Sequence, residues 1–226
     1  MKKWMGLCMA AAVTVSLLAG CGQKAEETSS SQTTAEQTTA AQTTAAESGQ
    51  GETEGLDLEA AKGKHHVEIT VKDYGTIKAE LDGDTAPITV ANFLKLAGEG
   101  FYDGLTFHRI ISGFMIQGGD PLGNGMGGSD QEIKGEFSNN GVENPLSHTR
   151  GAISMARAQR MDSASSQFFI VHEDSTFLDG DYACFGYVTE GMEIVDAICQ
   201  DTKVEDNNGT VAKENQPVIE SVKVID

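Results

Sequence analysis

The chain has 226 residues, 39% of them hydrophobic, and carries 16 Lys and Arg against 34 Asp and Glu for a formal net charge of −18. That balance disfavours a nucleic-acid partner, which needs a basic face to meet phosphates, and the length allows one packed core once the first sixty or so residues are set aside. From His65 onward 11 Lys and Arg stand against 26 Asp and Glu, so the acidic excess belongs to the folded part, where it serves solubility.

Residues 1–21 begin with Lys2 and Lys3, continue through an apolar stretch at 4–19 and end in LAGC at 18–21. This layout is a secretory signal, too short and wrongly flanked to span a bilayer. The LAGC ending resembles the lipobox of bacterial lipoproteins. The resemblance implies that Cys21 becomes a lipid-bearing N-terminus and that the remainder is held at the membrane outside the cytoplasm. Cys8 leaves with the signal, so Cys184 and Cys199 remain in the domain, expected as two free, partly buried thiols.

Residues 22–60 read as a linker. As far as Gly55 the composition is almost entirely Ser, Thr, Gln, Ala, Glu and Gly, and a five-residue near-repeat starts at Gln32, Gln37 and Gln42. No aromatic residue or large aliphatic is available there to offset the entropy of ordering, so a disordered tether is expected.

The domain, 65–226, opens as β structure. Val67, Ile69 and Val71 alternate with polar residues, residues 73–75 supply a turn, and Ile77, Ala79 and Leu81 alternate again, which predicts a hairpin. Pro87 suits the first position of a helix in which Val90, Phe93, Leu94 and Ala97 recur at helical spacing up to Gly98. Short β-prone runs follow at 106–111, 114–117, 152–155, 168–171 and 184–188. Ile194, Val195 and Ile198 mark a second helix, and 218–225 closes as β. Many short strands with two helices predict a mainly β barrel or sandwich.

FHRIISGFMIQGGD at 107–120 sets Arg109, a permanent charge, within a few residues of Phe114, Met115 and Gln117. GAISMARA at 151–158, SQFFI at 166–170, FLDG at 177–180 and FGYV at 185–188 follow in that order. These blocks, in their order and spacing, resemble the cyclophilins, and the resemblance covers essentially all of 65–226. It implies an eight-stranded antiparallel β-barrel capped by two α-helices, and peptidyl-prolyl cis-trans isomerase activity without a cofactor. Position by position, Arg109 matches the catalytic arginine, and Phe114 and Gln117 join it. Met115, Phe169 and Leu178 match the proline pocket, and Ala156, Arg157, Ala158 and Gln167 match the groove that holds the substrate backbone. Phe177 stands where some relatives carry Trp, Tyr182 replaces a common His, and Arg157 replaces a common Asn. The implied partners are Pro-containing peptides and unfolded exported proteins, with a monomer as the default state.

Other features read as structural. GNGMGG at 123–128 fits a GxGxxG pattern, but no helix pattern follows and Asp130 and Glu132 stand close by, so it reads as a flexible glycine turn at the groove edge, with Gly125 lining it. His65, His66, His108, His148 and His172 show no metal-ligand spacing, so no metal is expected. Asp206 and its neighbours up to Gly209 read as a turn, Phe168 and Phe185 as core, and no His-paired Ser or Cys motif is evident. The alternative to an isomerase is a non-catalytic Pro-peptide-binding module tethered at the cell surface. Against it stands Arg109, since a pure binder has no need of a transition-state donor. A surface solute-binding lipoprotein rests on the export signal alone.

Overall fold

A computed structural model describes residues 53–226. The expected signal segment with Cys21, and the expected linker up to residue 52, lie outside them. Eight strands form one antiparallel sheet: β1 (Lys64–Val71), β2 (Gly75–Asp82), β3 (Phe107–Ile111), β4 (Met115–Gly118), β5 (Ala152–Met155), β6 (Phe168–Val171), β7 (Cys184–Glu190) and β8 (Ile219–Val224). Two helices, α1 (Pro87–Gly98) and α2 (Met192–Asp201), complete it, with three short 3-10 turns that the sequence reading did not anticipate. The predicted elements therefore stand, with ends moved by one or two residues.

The sheet order is β3-β4-β6-β5-β7-β2-β1-β8. The sheet curls until its edges meet: Phe107 N–H donates to Pro217 O at 2.9 Å, Ile219 N–H to Leu105 O at 2.8 Å, and Thr106 bridges Val218. Register shifts at Thr70/Val71, Lys78/Ala79, Phe107/Arg109 and Ile153/Ser154 supply the bends that such curling requires. At Gly186 in β7 a Cβ would lie 2.4 Å from Glu80 O, so the strands can approach this closely only without a side chain.

Strand alternation sorts the apolar residues into two clusters. Phe168 and Ile170 of β6 point into the main core, where Phe93 of α1 meets the rings of Tyr102, Phe168 and Phe185 at 5.0–5.4 Å. Burying each such ring stabilises the fold by roughly 1.5–3 kcal/mol. Phe169 and Val171, one step out of phase, point to the other face and join Met115, Ala152, Leu178 and Cys184 in a second cluster. Phe168 and Phe185 are core, as expected. Cys184 and Cys199 are both free thiols and pack against different clusters.

One expectation requires correction. The packed region starts before residue 61, because Leu56 and Leu58 lean on the main core and Ala61 is buried. These are the first large aliphatics after the linker composition ends, and they are enough to dock the segment. α1 starts at Pro87, as expected. Its N-cap is Ala86, with no side-chain cap of its own. The buried carboxylate of Glu136, distant in sequence, accepts from Ile88 N–H at 3.0 Å, Thr89 N–H at 2.8 Å and Thr89 Oγ1 at 2.6 Å.

Candidate active site

The site lies on the outer face of β3, β4, β6 and β5. Arg109 of β3 pairs directly with Gln117 of β4, and Gln117 with Phe169 of β6. Two side chains of one hairpin and Phe169, distant in sequence, thus share one row by register alone. Arg109 Nη1 donates to Gln117 Oε1 at 3.2 Å and lies 3.8 Å from Met115 Sδ, while Nε donates to Asn208 O at 2.9 Å. Gln117 Nε2 donates to Gln167 Oε1 at 2.9 Å, and Gln167 Nε2 to Gly127 O at 2.7 Å and Gly125 O at 3.2 Å. These bonds run in one direction, from guanidinium to loop carbonyls, and settle the orientation of both amides. Burial pushes the Arg109 pKa below its ordinary value, with Asp206 among the groups opposing it; a guanidinium is so strong a base that it still keeps its proton.

Beside this polar row lies an apolar cluster. Met115, Phe169 and Leu178 are buried, with Phe114, Ala156 and Tyr182 packed against them. A 3-10 turn at Thr176–Leu178 sends Leu178 inward and leaves Phe177 72% exposed, its ring 5.6 Å from that of Phe114. Tyr182 meets Phe169 edge-on at 5.9 Å. The Arg157 guanidinium sits over Phe137 at 5.1 Å and Tyr182 at 4.9 Å, and its Nε donates to Asp181 O at 2.9 Å. The Arg157 side chain is therefore held against the aromatic wall formed by Phe137 and Tyr182. A cleft of about 390 Å³ continues from here, lined by Gln117, Gly125, Ala156, Arg157, Ala158 and Gln167 among others. Every residue expected at the site is thus on one face.

The glycine turn is less free than its composition suggested. Asp120, itself buried, accepts N–H bonds from Leu122 at 2.8 Å, Asn124 at 3.0 Å and Gly125 at 2.6 Å. Burial opposes the charge of Asp120, yet these donors hold its pKa below the carboxylate range. Those N–H groups are directed at the protein's own carboxylate, so the GxGxxG pattern offers no phosphate cradle. Among the described residues, no group of three or more His, Cys, Asp or Glu is placed to hold a metal.

A His-paired Ser, which the sequence did not advertise, is present. His148 Nδ1 lies 2.7 Å from Asp179 Oδ1 and Nε2 lies 2.9 Å from Ser154 Oγ, with the ring stacked on Phe169 at 6.0 Å. His148 and Ser154 are both 0% exposed, so no substrate reaches the hydroxyl. The chain braces the back of Phe169. Burial pushes the His148 pKa below the usual histidine value, with Asp179 pulling partly back, and burial also lowers His108. Because both folded values lie below the unfolded one, the unfolded chain takes up protons first as pH falls. Stability that is full above about 6.5, the unfolded value, is therefore lost as pH falls through the folded values. Depressed carboxylates such as Asp120 and Asp179 act in a lower window, below their unfolded value of 3.8. The thermal midpoint is expected to fall between pH 7.5 and pH 5, and less so in a His108→Leu, His148→Gln variant. A wild-type midpoint that stays level across that interval removes the two histidines as its cause.

Residues 66–224 match the family described as cyclophilin type peptidyl-prolyl cis-trans isomerase/CLD. The chain is 49% identical over 144 residues to peptidyl-prolyl cis-trans isomerase B of Bacillus subtilis, an alignment spanning 64% of this chain and 92% of that protein. It is 40% identical over 176 residues to peptidyl-prolyl cis-trans isomerase A of Dickeya dadantii, spanning 74% and 87% respectively. A Cryptosporidium parvum cyclophilin-type isomerase crystallised in the presence of the dipeptide Ala-Pro superposes with a TM-score of 0.63 at 31% identity, covering 71% of this chain and 99% of that one.

Proposed function

The chain belongs to the cyclophilin-type peptidyl-prolyl cis-trans isomerases and catalyses rotation about X–Pro bonds, and from that premise we propose that Arg109 is the transition-state donor of a site built for the twisted amide. The observation that carries this reading is a guanidinium tied on two sides, with Nη1 against Met115 Sδ of the apolar cluster formed with Phe169 and Leu178. Amide resonance imposes a barrier of about 18–20 kcal/mol on the rotation, and uncatalysed exchange at X–Pro takes about tens to hundreds of seconds. Millisecond turnover requires an acceleration of roughly 10⁴–10⁵, or about 5–7 kcal/mol of differential stabilisation.

No covalent step is needed. As the amide twists, the proline nitrogen pyramidalises and regains a lone pair. A donor placed to meet only that form lowers the barrier selectively. Arg109 has Nε and Nη1 engaged by the protein, which leaves Nη2 for the substrate. Met115, Phe169 and Leu178, with Phe114 at the edge, seat the ring and exclude water, which strengthens the bond that Arg109 makes. Gln117, Gln167, Gly125 and the backbone of 156–158 hold one side of the peptide while the other turns, and Phe177 and Tyr182 bound the rim.

The test is protease-coupled isomerisation of short X–Pro peptides over several X residues. Acceleration well above background supports the reading. Tight peptide binding by the folded protein without acceleration replaces it with the peptide-binding module.

We further propose that the protein works outside the cytoplasm as a monomer tethered by a lipid on Cys21, assisting the folding of exported proteins. The basic-apolar-LAGC sequence of residues 1–21 and the composition that follows it support this. In a bacterial host, Cys21→Ala is expected to abolish labelling by a radioactive fatty acid and to remove the protein from the lipid-anchored membrane fraction. Labelling that persists in the variant ends the lipoprotein reading.

A further inference from the structure

We propose that the turn at residues 204–211, held in shape by Asp206, is a positioning device for Arg109, which makes Asp206 a positioning residue for the isomerisation. The inference rests on the reading of Arg109 as the donor.

The turn is a small closed hairpin. Val204 bridges Val211, and Glu205 N–H donates to Thr210 O at 2.7 Å. Inside it the Asp206 carboxylate replaces the missing ladder: Oδ1 accepts from Asn208 N–H at 2.9 Å and Thr210 N–H at 3.1 Å, and Oδ2 from Thr210 Oγ1 at 2.9 Å. A carboxylate bonding to the backbone two residues on is an Asx turn, here extended to a third donor.

This hairpin docks along β3 at the residues that flank the guanidinium. Ile110 N–H donates to Gly209 O at 2.8 Å, Val211 N–H to His108 O at 3.1 Å, and Arg109 bridges Thr210. Gly209 adopts φ +79°, and a Cβ there would lie 2.3 Å from Ile110 O. Docking therefore depends on a bare α-carbon. One carbonyl at the tip, that of Asn208, then faces Arg109 Nε at 2.9 Å. The peptide that carries this carbonyl is held by Gly209 N–H donating to the Asp206 backbone O at 3.1 Å, and the Asp206 carboxylate fixes the peptide before it through Asn208 N–H.

The mechanical consequence concerns the aim of the donor. A guanidinium on a flexible stem that is tied only at Nη1, to Gln117, can pivot about that bond. A second tie at Nε removes the pivot and fixes the direction in which Nη2 points. The Asx turn acts through Arg109 on the chemical step; none of its residues belongs to the apolar cluster or lines the 390 Å³ cleft, while Glu205 and Thr210 border a separate cavity beside Arg109.

The experiment measures kcat and KM separately in the full chain. Asp206→Ala is expected to lower kcat about tenfold, the scale of a misaimed catalytic group, with KM within about twofold and a nearly unchanged thermal midpoint because the turn is exposed. Asp206→Asn keeps the Oδ1 acceptor and discards the charge, so it is expected to restore most of kcat. Gly209→Ala, which pushes the hairpin off β3, is expected to reproduce the loss. In the double variant with Arg109→Ala, Asp206→Ala is expected to add nothing, since the group it aims is gone. Wild-type kcat in Asp206→Ala overturns the proposal. So does an Asp206→Asn variant as slow as Asp206→Ala, because charge near Arg109 is then the cause. Failure here is separable from failure of the site: an inactive Arg109→Ala beside a fully active Asp206→Ala removes only the positioning role.

Discussion

Replacing Arg109 by Ala is expected to lower kcat/KM by about 10²–10³, the loss found when one preorganised donor is taken from a charge-stabilising site. The reasoning depends on where the energy is spent. Met115, Phe169 and Leu178 remain to seat the proline ring, so ground-state binding and KM should change little while kcat carries the loss. Arg109→Lys is expected to recover only a small part of it. An ammonium carries its three donors on one nitrogen, without the planar fork that holds Nε on Asn208 O and Nη1 on Gln117 Oε1 and sets Nη2 apart from them. The assay is protease-coupled isomerisation, with circular dichroism to show that each variant is folded. A kcat/KM within about fivefold of wild type in folded Arg109→Ala removes the guanidinium from the mechanism.

Glu136→Ala is expected to destabilise the fold by about 3 kcal/mol, with a fall in thermal midpoint of roughly 6–12 °C for a domain of this size. The carboxylate meets two of the N–H groups that the start of α1 leaves without a helical partner, and also the Thr89 hydroxyl. Ala86 at the N-cap contributes no side-chain bond, so nothing local replaces it. Burial pushes the Glu136 pKa above the carboxylate range against the pull of those donors, which marks the site as closed to water. Removing the side chain therefore strands buried donors and leaves a cavity. Glu136→Gln presents an amide nitrogen where a second acceptor is needed, and it is expected to cost about half as much. Denaturant unfolding measures both. A change below about 1 kcal/mol for Glu136→Ala means that α1 is capped adequately without it.

Much of this architecture was legible because its causes are local. Val67, Ile69 and Val71 alternate since β1 has one buried face, and Pro87 followed by Val90, Phe93 and Ala97 marks α1 by fixed φ and helical spacing. The pair Phe168 and Phe169 illustrates the limit of such reasoning. Period-two alternation says that the two rings face opposite ways, but only the position of β6 between β4 and β5 makes one face the core and the other the site. The motif blocks that resemble the cyclophilins named Arg109, Phe114 and Gln117, because a proposed role carried by a side chain is visible as a residue type. Asn208 acts through its carbonyl, which every residue possesses, so no side-chain pattern could single it out. The Ser154, His148 and Asp179 chain was missed for a related reason: its members are separated by loops whose paths depend on the closed sheet.

The sequence by itself determined the mainly β class, the two helices and the acidic composition, which follow from periodicity and composition, while the resemblance of its motif blocks to the cyclophilins supplied the candidate groups of the site. Only the tertiary structure decided that α1 begins on a carboxylate from a distant loop, that Asp120 draws in the glycine turn, and that the Asp206 hairpin braces Arg109. Those are contacts of long sequence separation. Their cost is loop-closure entropy, met by the assembled sheet as a whole rather than by any one segment, and for that reason no single segment announces them.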